Sequence, residues 1–163
     1  MGLFDKLTGT RRPARGTAPR SAAEVRAALL ALDGPDAPFF LREGTAKEGA
    51  QLVAVWRLPR GGPHPVRGHT LLRLDARARE VRTLDERWER LEPGERSFDG
   101  GNLKHIRGPV NSFSKQWTFE RGPDGRRRMV PESGFSSAAV KAPLREAVLA
   151  AGWTWRGVFT WRG

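Results

Sequence analysis

The middle of this chain is broken by turn signals too closely spaced to admit long elements. Gly and Pro cluster at Gly34-Pro35, Gly61-Gly62-Pro63, Pro93-Gly94, Gly100-Gly101 and Gly122-Pro123-Asp124-Gly125. Such clusters end regular structure because Gly opens backbone conformations other residues avoid and Pro removes a donor. What lies between them is short and rich in aromatic and β-branched residues, the composition of strands.

Two helices bracket that middle. Ser21 and Glu24 form a Ser-x-x-Glu capping box, which satisfies amide donors left open at a helix start. Val25, Ala28, Leu29 and Leu32 then repeat at helical spacing to make one apolar face, and Gly34-Pro35 stops the helix. Towards the C-terminus, Pro143 suits a first helical turn, Leu144, Ala147, Val148 and Ala151 form the stripe, and Gly152 ends it. Trp153, Trp155, Gly157, Phe159 and Trp161 follow at alternate positions, which predicts a strand with one aromatic face. Two readings of that face remain: core beneath the helices, or a binding surface beside Arg156 and Arg162.

Strands are predicted over Pro38–Arg42, Gln51–Leu58, Ser112–Glu120 and Arg126–Val130. Residues 76–91 fit either a helix through Val81, Leu84, Trp88 and Leu91 or the far half of a hairpin. The charged break at Asp75–Arg79 favours the hairpin. The fold class that follows is α+β: an antiparallel sheet of roughly five to eight short strands with two amphipathic helices packed on one face.

A chain of 163 residues, 38% hydrophobic, has room for one domain and one core. Residues 21–163 are read as that domain. Residues 1–20 are read as a flexible basic tail, because Gly, Pro and like charges fill 8–20. Ahead of that stretch, Met1, Leu3, Phe4 and Leu7 are read as a frayed terminus or, alternatively, as one side of a two-turn helix that needs a partner or membrane surface to order it. The formal charge is +11, divided as +4 over residues 1–20, 0 over 21–100 and +7 over 101–163. Such asymmetry suits an anionic partner, although Arg-rich usage is also a mark of genome composition. With no cysteine there is no disulfide framework or thiolate metal site. No apolar run reaches the length of a membrane span or a secretory signal, so the expected compartment is cytoplasmic.

The stretch Lys141-Ala-Pro-Leu-Arg-Glu-Ala-Val-Leu-Ala-Ala-Gly-Trp-Thr-Trp-Arg-Gly-Val158 resembles the ending of a family of uncharacterised bacterial proteins. Leu71–Asp75 and Glu80–Asp85 are similar to the same family. The resemblance implies a helix–strand ending on a β-rich domain and brings no functional residue with it.

Residues that carry chemistry are sparse. His64 and His69 are read as loop histidines and His105 as a surface one, with no converging carboxylate to make a metal site. Asp33 and Asp36 belong to a turn. Ser133 lacks the Gly-x-Ser-x-Gly setting of a nucleophile, and no phosphate-binding glycine loop is present. No catalytic residue and no cofactor is therefore expected. The leading expectation is a non-enzymatic binding or adaptor domain that engages a protein partner or assembly through Leu3, Phe4, Leu7, Arg11, Arg12 and Arg15. The alternative is a sequence-tolerant nucleic-acid binder using Arg126, Arg128, Arg156 and Arg162 as anion contacts. A third is a small-molecule-binding domain or an enzyme with no recognisable motif, with a pocket near His105 and Trp117.

Overall fold

The computed structural model describes residues 2–58, 66–90, 94, 101, 103–108, 117–121, 123–131 and 137–161. The loop at Gly61–Pro65, Ser133, the capping position Ser136 and Arg162 lie outside the described residues. Among those described, three helices and eight strands follow in order. They are α1 (Leu3–Thr8), α2 (Ala22–Leu30), β1 (Phe39–Glu43), β2 (Leu52–Leu58), β3 (Val66–Asp75), β4 (Glu80–Arg90), β5 (Leu103–Arg107), β6 (Trp117–Arg121), β7 (Arg127–Pro131), α3 (Ser137–Ala150) and β8 (Thr154–Gly157).

The class is α+β. Strands β1 to β5 form an antiparallel meander, β8 joins β4 in parallel, and β6 with β7 makes a separate two-stranded sheet. Residues 76–91 take the hairpin alternative. β3 and β4 pair from Asp75↔Glu80 to Arg67↔Trp88 around a turn at 76–79, where Asp75 accepts the Ala78 amide (3.0 Å). Arg79 closes that turn at φ 51°, and its carbonyl accepts the Thr154 amide (2.9 Å), which sets where β8 begins.

The capping box of α2 forms as its sequence dictates. Glu24 N–H donates to Ser21 Oγ (3.2 Å), and Ser21 N–H donates to Glu24 Oε2 (2.8 Å). Those bonds, the backbone one first, hold the Glu24 carboxyl below its ordinary pKa. The helix ends at Leu30, before Gly34, and Asp33 turns back to accept the Leu41 amide (3.2 Å). α3 begins earlier than expected. Pro143 lies inside it rather than in its first turn, where its ring removes one rung of the hydrogen-bond ladder.

Both longer helices bury their stripes against one sheet face. Val25, Leu29, Val140, Leu144 and Val148 meet Leu52, Trp56, Leu72, Val81, Trp153 and Trp155 in one cluster. At about 1.5–3 kcal/mol for each large apolar side chain removed from water, this cluster dominates the favourable side of folding. The ring of Trp56 lies against Gly68, where a Cβ would stand 2.1 Å from it, so only glycine fits there.

The aromatic alternation of the C-terminus is partly corrected. The strand stops at Gly157, Phe159 is 56% exposed, and Trp161 crosses to the opposite sheet face. There it packs with Val158 against Ala50, Val53, Leu71 and Leu84, donates to the Glu48 carbonyl (2.8 Å) and carries Arg73 over its ring at 4.4 Å. Trp153 and Trp155 are core, 1% and 4% exposed.

Residues 8–20, expected to hang loose, lie along the domain instead. Arg11 and Trp155 exchange both backbone hydrogen bonds (2.8 and 2.9 Å), Thr10 is buried, and Trp153 Nε1 donates to the Arg20 carbonyl (2.8 Å). Gly152, at φ 73°, lets the backbone of Ala18 and Pro19 pass within 3 Å of where a Cβ would stand. Low side-chain hydrophobicity hid this docking, because it is made by backbone groups.

Candidate nucleic-acid interface

The two faces of the main sheet are built differently. On the helix face one polar chain is buried. Trp56 Nε1 donates to Thr70 Oγ1 (3.2 Å), Thr70 Oγ1 donates to Asp85 Oδ1 (2.8 Å), and Lys141 Nζ donates to Asp85 Oδ2 (2.6 Å). Thr70, Asp85 and Lys141 are 0%, 2% and 8% exposed. The ion pair pins α3 to β4, and every group in the chain has its partner, as burial of charge requires.

The opposite face divides across its width. Its first row, Val53–Leu71–Leu84, is roofed by Trp161 and Val158. The rows beyond mix half-buried and exposed side chains, with no roof among the described residues. One runs Phe40–Val55–His69–Glu86–Arg107 across β1 to β5; the next runs Arg57–Arg67–Trp88–His105. Phe40 is 54% exposed, and Arg57, Arg67, His105 and Arg107 are exposed as well.

Within these rows the rings form a ladder. His69 meets Trp88 edge-on at 4.7 Å between centroids, and Trp88 stacks on His105 at 5.0 Å with 17° between planes. Burial, and then the charge of Arg42, lower the pKa of His69, which favours its neutral form. Glu86 faces Arg107 at 3.2 Å. Arg57 and Arg67 stand directly opposite one another, with no carboxylate partner among the described residues. Like charges paired across strands oppose folding slightly. An anion between them would turn that cost into attraction.

This arrangement was not seen in the sequence, which put His69 in a loop; it sits on β3 beside Trp88. The signal was present in the hairpin. A turn at 76–79 fixes Arg67 opposite Trp88 by counting back along both strands.

Of the residues singled out in the sequence, the described ones sit on different elements. Arg156 is tied to Glu80 (2.8 Å), which also holds Arg82 (2.6 Å). Arg126 is exposed at the turn between β6 and β7, on the other sheet, where its amide donates to Asp124 (3.2 Å). The side chains of Arg128 and Trp117 lie outside the described residues, so the pocket expected near His105 and Trp117 does too. An open depression of about 610 Å³ lies elsewhere, lined by residues that include Thr45, Gln51, Arg73 and Asp75. Arg73 is engaged by Gly49 and Trp161, and Asp75 by Arg82 (3.6 Å) and Ala78. At the N-terminus, Arg12 pairs with Asp5 (3.0 Å), Arg11 joins the bridge to Trp155, and Arg15 is exposed. Leu3, Phe4 and Leu7 are 75%, 76% and 56% exposed.

Among the described residues no three His, Asp or Glu side chains group to hold a metal ion. No described helix is long and apolar enough to cross a membrane. No family model matches the chain, and no match was found among curated proteins or solved structures.

Proposed function

We propose that this protein is a sequence-tolerant binding domain for single-stranded nucleic acid, and that the open rows of the main sheet are its binding surface. The observation that carries this reading is the row Arg57–Arg67–Trp88–His105. It sets two arginines lacking described acidic partners beside a stacked pair of rings, the combination that holds phosphates and unpaired bases together. A base laid on His105 extends the existing Trp88–His105 stack, and phosphates further along the strand meet Arg67 and Arg57. The formal charge of +11 favours encounter with a polyanion. An unpaired strand is preferred because bases in a duplex offer no face to stack on.

Anisotropy titration of labelled single- and double-stranded oligonucleotides tests it. Tighter binding of the single strand, weakened by Trp88→Ala, is the expected result. Equal affinity for both forms, unaffected by that substitution, would leave only nonspecific charge attraction.

A second reading concerns the other end of the chain and is favoured by the exposure of Leu3, Phe4 and Leu7. It takes the domain as an adaptor and the N-terminal helix as its docking element.

A further inference from the structure

We infer that α1 is a peripheral membrane anchor that inserts Leu3, Phe4 and Leu7 into the interfacial layer of an anionic bilayer. This rests on the reading of the N-terminal helix as a docking element and names what it docks to.

The three apolar side chains do not owe their exposure to a loose terminus. Gly9 ends α1 in the left-handed conformation at φ 67°, and Thr10 N–H closes onto the Asp5 carbonyl (2.9 Å). Thr8 Oγ1 meets the Phe4 carbonyl (2.8 Å) and Thr10 Oγ1 (2.7 Å). Thr10 is buried, and the next residue, Arg11, is paired to Trp155 at the edge of the sheet. A short helix is thus built onto a fixed edge with Leu3, Phe4 and Leu7 on one side of it, facing water. Helical spacing sets Asp5 on the far side, where it meets Arg12 and is only 13% exposed.

Charge and size choose the occupant. Asp5 is the one acidic residue in positions 1–20, and Arg12 neutralises it. Lys6 flanks the apolar side, and Arg15 and Arg20 are exposed in the same segment. Three side chains on a six-residue helix fall far short of the roughly 800 Å² per partner that a stable protein interface buries. Interfacial insertion has no such threshold. It scales with apolar area and is reinforced by basic residues facing anionic lipid, two signals that this segment combines. Nucleic acid would use the charges but offers nothing for the leucines and phenylalanine.

The test is co-sedimentation of the full chain with phosphatidylcholine vesicles, with and without phosphatidylglycerol. The comparison is the triple variant Leu3→Ser/Phe4→Ser/Leu7→Ser, which keeps every charge and changes only exposed side chains. The parent should sediment with the anionic vesicles and not the neutral ones, and the variant should bind roughly tenfold or more weakly. As the chain has no cysteine, a polarity-sensitive dye on Leu3→Cys reports insertion by a blue shift. Equal binding of parent and variant would overturn the inference, since charge alone would then account for it. So would failure of the parent to bind. In that case, loss of a captured protein partner on the same substitutions would keep the docking-element reading and discard lipid; capture retained by the variant would discard both.

Discussion

The two faces of the main sheet treat polar residues in opposite ways. On the helix face, Thr70, Asp85 and Lys141 are buried and hydrogen-bonded to one another. On the open face, Arg57 and Arg67 stand side by side among half-buried and exposed rings, with no described carboxylate to balance them. The first arrangement fixes a helix to a strand. The second leaves attraction for an anion unspent. On the proposed reading, stability and recognition belong to opposite sides of the same strands, and substitutions should separate them.

The largest effect belongs to the helix face. Lys141→Met removes one buried partner of the Asp85 carboxylate and should cost up to about 3–5 kcal/mol in urea unfolding. A loss near zero would mean that Asp85 reaches water or another cation, and the contrast between the faces would weaken. On the open face, Trp88→Ala removes a half-buried ring packed on His69 and His105 and should cost less in unfolding than Lys141→Met. Single-strand affinity should fall about 5- to 100-fold, because His105, on which the base lies, loses the ring it stacks against. If stability falls more than binding does, Trp88 is a structural residue.

Gly152→Ala sharpens the comparison at the edge of the helix face. The side chain is disfavoured at φ 73° and collides with Ala18 and Pro19. A loss of about 1 kcal/mol or more is expected, with faster proteolytic cleavage within residues 8–20. Unchanged cleavage would mean that the segment does not depend on this approach.

The smallest effect is in acid. Arg42 holds the Glu48 carboxyl down at about 2 from an ordinary value of 4.5, helped by the Thr45 amide and hydroxyl. A depressed folded-state pKa contributes stability that is present above pH 4.5 and is lost as pH falls towards about 2. His69, also depressed, has the same sign: its contribution is present above 6.5 and lost at lower pH as the ring is charged. Glu48→Gln should flatten the acid limb of stability against pH between 4.5 and about 2. A limb identical to the parent's would remove Glu48 from the account.

What the sequence made legible was local. The capping box at Ser21 and Glu24, the Leu144–Val148 stripe and the charged break before Glu80 each act within a few residues, and each element formed, although α3 begins at Ser137 rather than at Pro143. The misreadings involve contacts distant along the chain. Trp161 changes face because the strand ends at Gly157, where pairing with Thr83 stops. The segment before Ser21 docks by backbone hydrogen bonds, which leave no mark in composition. The candidate surface is a row across four strands, so its members are far apart in sequence and meet only once register is set. The β3–β4 part could have been counted from the turn; the β2 and β5 parts adjoin loops whose lengths carry no register information.

The most direct test of the account is a salt series of single-strand affinity for the parent, Arg57→Ser/Arg67→Ser and Arg126→Ser. For single strands, log affinity falls against log salt by about 0.7 for each phosphate neutralised. Removing Arg57 and Arg67 should reduce the slope by about 1.4, while Arg126→Ser should leave it unchanged. If the slope survives loss of the paired arginines, the open face is not where the strand binds.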